Sequence, residues 1–139
     1  MTLSIIESLE TIRDKFSAFT GSNVKIALPD DSEPGLFIFP YNFAVDTQFR
    51  DIPAPVRVQK LNQDYRMSCL LVSSPPNDYM TLGKGYDCLI SNPVVEANEG
   101  IIRITINAIP TEHLTGLFIS GGSTCRLSIP FELACSAAR

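Results

Sequence analysis

Few side chains in this sequence combine the residue type and the spacing that catalysis requires. His113 is the only histidine of the chain, so it is the only side chain whose ordinary pKa lies near neutrality. It follows Thr111-Glu112 at the polar start of a short helical pattern, and no nucleophile or acid motif accompanies it. A surface histidine is the better interpretation, and a small hydrolase that depends on His113 is the weaker alternative.

Three short stretches resemble functional loops without meeting their spacing requirements. Residues 120–123 read Ser-Gly-Gly-Ser, which is not the Gly-x-Ser-x-Gly turn of a hydrolase nucleophile. Residues 83–85 read Gly-Lys-Gly and lack the spacing and the following Ser or Thr of a phosphate-binding loop. The acidic run 30–33 lacks the twelve-residue frame of a calcium loop and is expected to be a solvated turn. We therefore predict a protein that is not an enzyme, with no catalytic residue and no cofactor.

The four cysteines do not form a metal-binding pattern. Cys69, Cys88, Cys125 and Cys135 include no Cys-x-x-Cys pair, and the chain has one histidine. A structural zinc site needs closer pairs of ligands. We predict no metal site, and we interpret the cysteines as reduced, mostly buried thiols of a cytosolic protein.

Length and composition indicate a single acidic domain over residues 1–139. Hydrophobic residues make up 45% of the chain and charged residues 19%, which is enough apolar material for a core and excludes a disordered chain. The net charge of −4 argues against nucleic acid and anionic membranes as partners. No apolar run reaches the roughly 18 residues of a membrane span. Because the N-terminus also lacks the basic region of a secretory signal, we expect a protein made in the cytoplasm.

The chain opens with an amphipathic helical pattern. Ser4 and Glu7 fit a capping box at its start, and Gly21 fits its end. The apolar residues that recur at helical spacing on one face are Ile5, Leu9, Ile12, Phe16 and Phe19. The opposite, solvated face is expected to carry Glu7, Glu10, Arg13 and Asp14.

Strands and two further helices follow from the apolar pattern. Strands are predicted over residues 24–28, 36–45, 65–71, 102–106 and 125–133. A helix between Asp78 and Asn92 is expected to bury a face made of Tyr79, Leu82, Tyr86 and Leu89. A short helix follows Pro110, and Pro130 is expected to lie on an edge strand or at a bulge because proline donates no hydrogen bond. This order of elements predicts an α+β fold, a mixed β-sheet with helices packed on one face.

Two features of the sequence indicate contact with other proteins. Residues 46–63 contain two prolines and hold no regular period, yet they keep apolar side chains that a disordered linker would not need. Arg66, Arg103 and Arg126 fall on the polar sides of three predicted strands, beside Ser68, Thr105 and Ser128. Such a face is most often ordinary solvated sheet, but it can also be a protein–protein face, where arginine is favoured. A cationic patch on an acidic chain would suit head-to-tail association into a ring.

The order of several segments resembles a known family. These segments are 36–42 (Leu-Phe-Ile-Phe-Pro-Tyr-Asn), Arg50 before a proline-containing stretch, 65–72 (Tyr-Arg-Met-Ser-Cys-Leu-Leu-Val), the helix up to Asn92-Pro93-Val94, 110–118 and 126–132. Together they resemble the tube-cap, or tail-terminator, proteins of extracellular contractile injection systems of the virulence-cassette and antifeeding-prophage type, which are similar to phage tail terminators. The chain ends soon after its last strand, whereas some family members continue into a further domain.

The resemblance implies a structural role. Proteins of this family form a hexameric ring that closes the end of the inner tube and joins the last sheath layer, as part of an assembled tail-like particle. The partners it implies are other copies of the chain and the tube and sheath proteins. The residues we expect at a subunit or tube interface are Phe49, Arg50, Ile52, Pro53, Val56, Arg66, Arg103 and Arg126. The alternative is a monomeric module that binds a protein or peptide with the segment 46–63.

Overall fold

The computed structural model describes residues 4–28, 34–45, 64–74, 78–98, 100–120 and 127–137. Within these ranges the chain forms three helices and six strands, in the order α1 (Ile5–Thr20), β1 (Val24–Ile26), β2 (Gly35–Val45), β3 (Tyr65–Ser74), α2 (Asp78–Ser91), β4 (Val94–Ala97), β5 (Gly100–Ile106), α3 (Thr111–Ser120) and β6 (Ser128–Ala137). None of these helices is long and apolar enough to cross a membrane.

The strands form one mixed sheet. Among the described residues the strand order is β1-β2-β3-β6-β5-β4. The β1–β2 pair is parallel, and the other four pairs are antiparallel. With helices packed on this sheet, the predicted α+β class is confirmed.

Helix α1 begins and ends where the sequence indicates. The Ser4 side chain accepts a hydrogen bond of 3.0 Å from the Glu7 backbone N–H, and so satisfies one of the free donors at the helix start. Gly21 ends the helix at a φ of 70°, a left-handed conformation that glycine adopts without a Cβ penalty. The inner face buries Ile12 and Phe16 against the sheet, which places α1 over the main core.

Helix α2 packs on the same face of the sheet as α1, but it is rotated relative to the sequence prediction. Leu82 and Leu89 are buried as expected, whereas Tyr79 and Tyr86 are 72% and 44% exposed. The reason is Gly85, which faces the sheet so closely that a Cβ there would lie 2.8 Å from Cδ2 of Leu71. The predicted buried face was therefore wrong for the two tyrosines.

Helix α3 lies on the other face of the sheet. Its Phe118 is fully buried with Leu70 and Val72 of β3, and Leu114 and Leu117 pack against the same cluster. Because Leu70 and Val72 alternate along β3 with residues of the main core, they point to the opposite side. The prediction that the helices pack on one face of the sheet is thus correct for α1 and α2. Helix α3 instead forms a second, smaller core on the opposite face.

The position of β6 differs from the sequence expectation. Pro130 does not lie on an edge strand, because β6 is central, between β3 and β5. The ladder with β5 ends at the pair Ile106–Phe131, and Pro130, which precedes Phe131 on β6, lies just beyond that end. The Pro130 carbonyl still accepts the Asn107 N–H at 3.0 Å, so its ring nitrogen sits on the β5 side where the ladder stops. The missing donor is tolerated there because no ladder bond is lost.

Candidate interaction surfaces

Arg66 and Arg103 lie side by side on the open face of the sheet. Arg66 on β3 and Arg103 on β5 are both directly opposite Ala134 of the central strand β6. All three residues point away from the main core, and both arginines are exposed. Two strand spacings separate the arginines, which is about 10 Å. The structure therefore brings these two sequence-predicted residues together across the small side chain of Ala134.

Arg66 is held by an ion pair on this face. Its Nη1 lies 3.1 Å from Oε1 of Glu132, and Nδ2 of Asn107 donates to Oε2 of the same carboxylate at 3.2 Å. The Arg66 side chain is 60% exposed and that of Glu132 only 24%. The guanidinium is therefore more accessible to solvent than the carboxylate it neutralises. Arg103 has no ion pair among the described residues. A guanidinium carries five N–H donors, so both arginines keep donors for a further partner.

The open arginine face is limited by helix α3, which covers the Leu70 end of the same side of the sheet. Ser68 and Thr105 lie on the uncovered part, opposite Glu132, as the sequence predicted. Ser128 lies half-buried at the start of β6. Arg126 is outside the described residues, so its predicted place on this face remains a prediction.

The outer side of α2 is an exposed apolar face that the sequence analysis missed. Its large side chains lie at helical spacing around the open position of Gly83: Tyr79 (72% exposed), Met80 (66%), Tyr86 (44%) and Ile90 (53%). Tyrosine and methionine are enriched at protein–protein interfaces. The sequence did contain a signal for this arrangement. Leu82, Gly85 and Leu89 also share one face at helical spacing, and burial of that face leaves the tyrosines exposed to solvent.

An apolar groove lies beside Val45 and Tyr65, the paired ends of strands β2 and β3. Strands β2 and β3 remain paired up to Val45 and Tyr65, so both ends of the segment 46–63 start from neighbouring positions. Beside them is a groove of about 250 Å³ lined by Ile5, Leu9, Pro40, Tyr41, Asn42, Phe43 and Met67. The predicted contact residues Phe49, Arg50, Ile52, Pro53 and Val56 lie outside the described residues, so their role remains a prediction.

An acidic groove lies on the other side of α1, at the sheet edge. Its volume is about 270 Å³, and its lining includes four acidic residues: Glu7, Glu10, Asp14 and Glu96. Oδ1 of Asp14 forms an exposed ion pair with Nη2 of Arg13 at a distance of 3.3 Å. The predicted solvated face of α1 is confirmed for Glu10 and Asp14, which are exposed, whereas Glu7 and Arg13 are half-buried.

His113 lies apart from the described cysteines, because the cysteines belong to the main core and His113 contacts Tyr41, which packs on the second core. His113 is exposed, and its ring and the Tyr41 ring form a T-shaped pair with a centroid distance of 5.7 Å. Cys69, Cys88 and Cys135 are free and buried. Burial raises the pKa of the Cys69 thiol to about 12, so this thiol stays protonated and unreactive at neutral pH. The predicted buried thiols are confirmed at these three positions, while Cys125 lies outside the described residues.

The α+β fold of this chain is similar to that of two solved structures. The sheath/tube terminator of the extracellular contractile injection system PVC, solved by cryo-EM in the extended state, matches with a TM-score of 0.70 and 16% identity over 100% of this chain and 58% of its own. The tube-terminating cap of the anti-feeding prophage matches with a TM-score of 0.68 and 12% identity over 98% and 56%. The chain thus spans a little over half the length of both. No protein-family model and no curated protein matches it. The resemblance that the sequence indicated is confirmed at the level of the fold.

Proposed function

We propose that this chain is a structural cap that ends the inner tube of a contractile injection system or phage-like tail. The observation that carries the proposal is the shared fold, which extends over essentially the whole chain in two independent terminator structures. In this proposal the chain forms a ring of six copies that contacts the tube end and the sheath end, within an assembled particle. It acts by binding and by shape, without a chemical step.

The surfaces of the chain suit this role. A cap must contact its own copies, the tube and the sheath, and so needs more than one docking surface. The described residues offer the open arginine face, the exposed apolar face of α2 and the groove beside Phe43. These surfaces belong to different elements of the fold, so one copy can use them at the same time.

The segment 46–63 is proposed to meet a neighbouring subunit through Phe49, Arg50, Ile52, Pro53 and Val56. Support comes from its origin, because Val45 and Phe43, at its start, are 44% and 46% exposed. Exposed apolar side chains in a group commonly mark an interaction site. The sequence of the segment itself contains further apolar residues.

The proposal is tested by electron microscopy of tubes grown from the producing organism's tube protein, with and without the chain. A cap predicts a six-fold annulus at tube ends and a narrower distribution of tube lengths. Tubes of unchanged length distribution and bare ends would refute it. The segment is tested separately by native mass spectrometry of Phe49→Asp combined with Ile52→Asp, which should abolish the ring; an unchanged ring shows that these residues are not at the subunit contact.

The alternative function, a monomeric peptide-binding module, is favoured by one observation, the apolar groove next to the segment 46–63. A module predicts a monomer at all concentrations that gains thermal stability with an apolar peptide. A ring that forms as concentration rises favours the cap.

A further inference from the structure

We infer that the open arginine face of one copy docks onto the acidic side of helix α1 of the next copy. This inference rests on the proposed function, because it names the contact between copies that a cap ring needs. The arginine face is the part of the sheet around Arg66 and Arg103, and the acidic side is formed by Glu7, Glu10 and Asp14.

The arginine face is cationic where it meets solvent. Glu132 is the acidic residue at its centre, but that carboxylate already accepts hydrogen bonds from Arg66 and Asn107 and is only 24% exposed. Arg103 stands without an ion pair among the described residues. Glu96, opposite Ile101 on the edge strand β4, also points to this open face, but it lies at the sheet edge, where it lines the acidic groove. The groups that reach outward from the centre are therefore two guanidinium groups.

The acidic side of α1 carries the opposite charge with little internal compensation. Glu10 and Asp14 are exposed and Glu7 is half-buried. Among the described residues, the cation that contacts this group is Arg13, which pairs with Asp14. Guanidinium and carboxylate groups form strong, often paired hydrogen bonds, so each surface can satisfy the other.

The spacing of the charges on the two surfaces agrees. The arginines are separated by two strands, about 10 Å. Glu7 and Asp14 lie seven residues apart on one side of the helix, which is also about 10 Å at 1.5 Å per residue. One copy can therefore place its two guanidinium groups against Glu7 and Asp14 of another copy, and Glu10 then lies between these two contacts.

The two surfaces lie on opposite sides of the sheet, because α1 covers the main core and the arginines point away from it. A contact between them joins different patches on the two copies, so it is heterologous. Heterologous contacts propagate head to tail and close into a ring when the rotation per copy allows it. This geometry is the one that a cap ring requires.

The test is a charge exchange between two variants of the full chain. One carries Arg66→Glu and Arg103→Glu, and the other Glu7→Lys and Asp14→Lys. In a solution of either variant alone, the two surfaces that should meet carry like charges. The association constant measured by sedimentation velocity should therefore fall by about tenfold or more at low salt. An equal mixture presents opposite charges at every contact and should recover the ring. Arg103→Glu alone, which leaves the Arg66–Glu132 pair intact, serves as a milder variant if the double one folds poorly.

Restoration in the mixture, together with loss in each variant alone, supports the inference. An unchanged ring in either variant, a mixture that stays monomeric, or a wild-type chain that never self-associates overturns it. The tube-length assay is run on the same variants to separate the two proposals. Normal capping by the arginine variant would refute this contact but not the cap function. Absence of capping by the wild type would refute the cap function itself.

Discussion

The hydroxyl oxygen of Tyr65 lies 2.7 Å from Oγ of Ser8, although 57 positions separate the two residues in the chain. The same Tyr65 hydroxyl donates to the Ser4 carbonyl at 3.0 Å. A phenol has one proton, so Ser8 must be the donor in the shorter bond. This network ties the first turn of α1 to the start of β3, next to the pair that Tyr65 forms with Val45 of β2.

Removal of the Tyr65 hydroxyl should destabilise the fold more than removal of both partners. In Tyr65→Phe the fully buried Ser8 hydroxyl loses its acceptor, and we expect the free energy of unfolding to fall by about 1–3 kcal/mol. Tyr65→Phe combined with Ser8→Ala should recover part of this loss, because both polar groups are then absent. Urea unfolding of the two single variants and the double variant measures the coupling. Strictly additive losses would show that the bond contributes nothing of its own.

The two glycines of α2 should respond oppositely to alanine. Gly83 is open to solvent, so Gly83→Ala should stabilise the protein by about 0.5–1 kcal/mol through helix propensity. Gly85→Ala places a methyl 2.8 Å from the fully buried Leu71 and should destabilise it by about 1 kcal/mol, since overpacking exceeds the propensity gain. Thermal melts of the pair compare the same substitution two positions apart. Equal shifts would mean that α2 does not approach the sheet as described.

Stability should fall in alkaline solution partly because of Cys69. Burial raises the pKa of this thiol to about 12 from an ordinary value of 9.0, so the folded state holds a proton that the unfolded state releases. The contribution is complete below pH 9 and is lost as the pH rises from about 9 towards 12. Cys69→Ala should therefore show a shallower fall of unfolding free energy between pH 8 and 10.5, measured in urea. Burial also raises the pKa of Tyr65 and Cys135, so some dependence will remain; an identical slope in the variant contradicts the assignment to Cys69.

The exposed face of α2 should matter for binding and little for folding. Tyr79→Ser with Tyr86→Ser removes two side chains that are 72% and 44% exposed, so we expect a stability change within about 0.5 kcal/mol. If this face contacts the tube or sheath, the same variant should lose capping in the tube-length assay. Lys84→Ser is the matched control on the exposed side of the same helix. Normal capping by the tyrosine variant would assign this face no part in assembly.

Local features of the fold could be predicted from the sequence because they depend on neighbours along the chain. The cap at Ser4 and the end at Gly21 follow from the conformations these residues prefer. Arg66 and Arg103 could be assigned to one polar face because each is out of phase with buried apolar neighbours on its strand. Their shared opposite partner, Ala134, could not be inferred, since strand register depends on contacts distant in sequence.

The features that escaped prediction depend on tertiary packing. In α2, Tyr79 and Tyr86 are seven residues apart, and so are Leu82 and Leu89. Periodicity alone therefore does not decide which of the two pairs is buried. The close approach at Gly85 decides it, and that approach exists only once β3 is beneath the helix. The short strand β4 was missed for a similar reason, since its four residues gain strand character only by pairing with β5.

The central place of β6 has a consequence for how the polypeptide is made on the ribosome. When residues up to Ser120 have been synthesised, β3 and β5 both still lack the neighbour that joins them. Two separate half-sheets with unsatisfied backbone edges then exist, and such edges readily pair with other chains. Completion of the sheet waits for β6 to emerge and insert beside β3, whose Tyr65 pairs with Cys135, 70 positions further along the chain, and such long-range pairing is a slow step of folding. During this interval a holding chaperone would protect the nascent chain from aggregation.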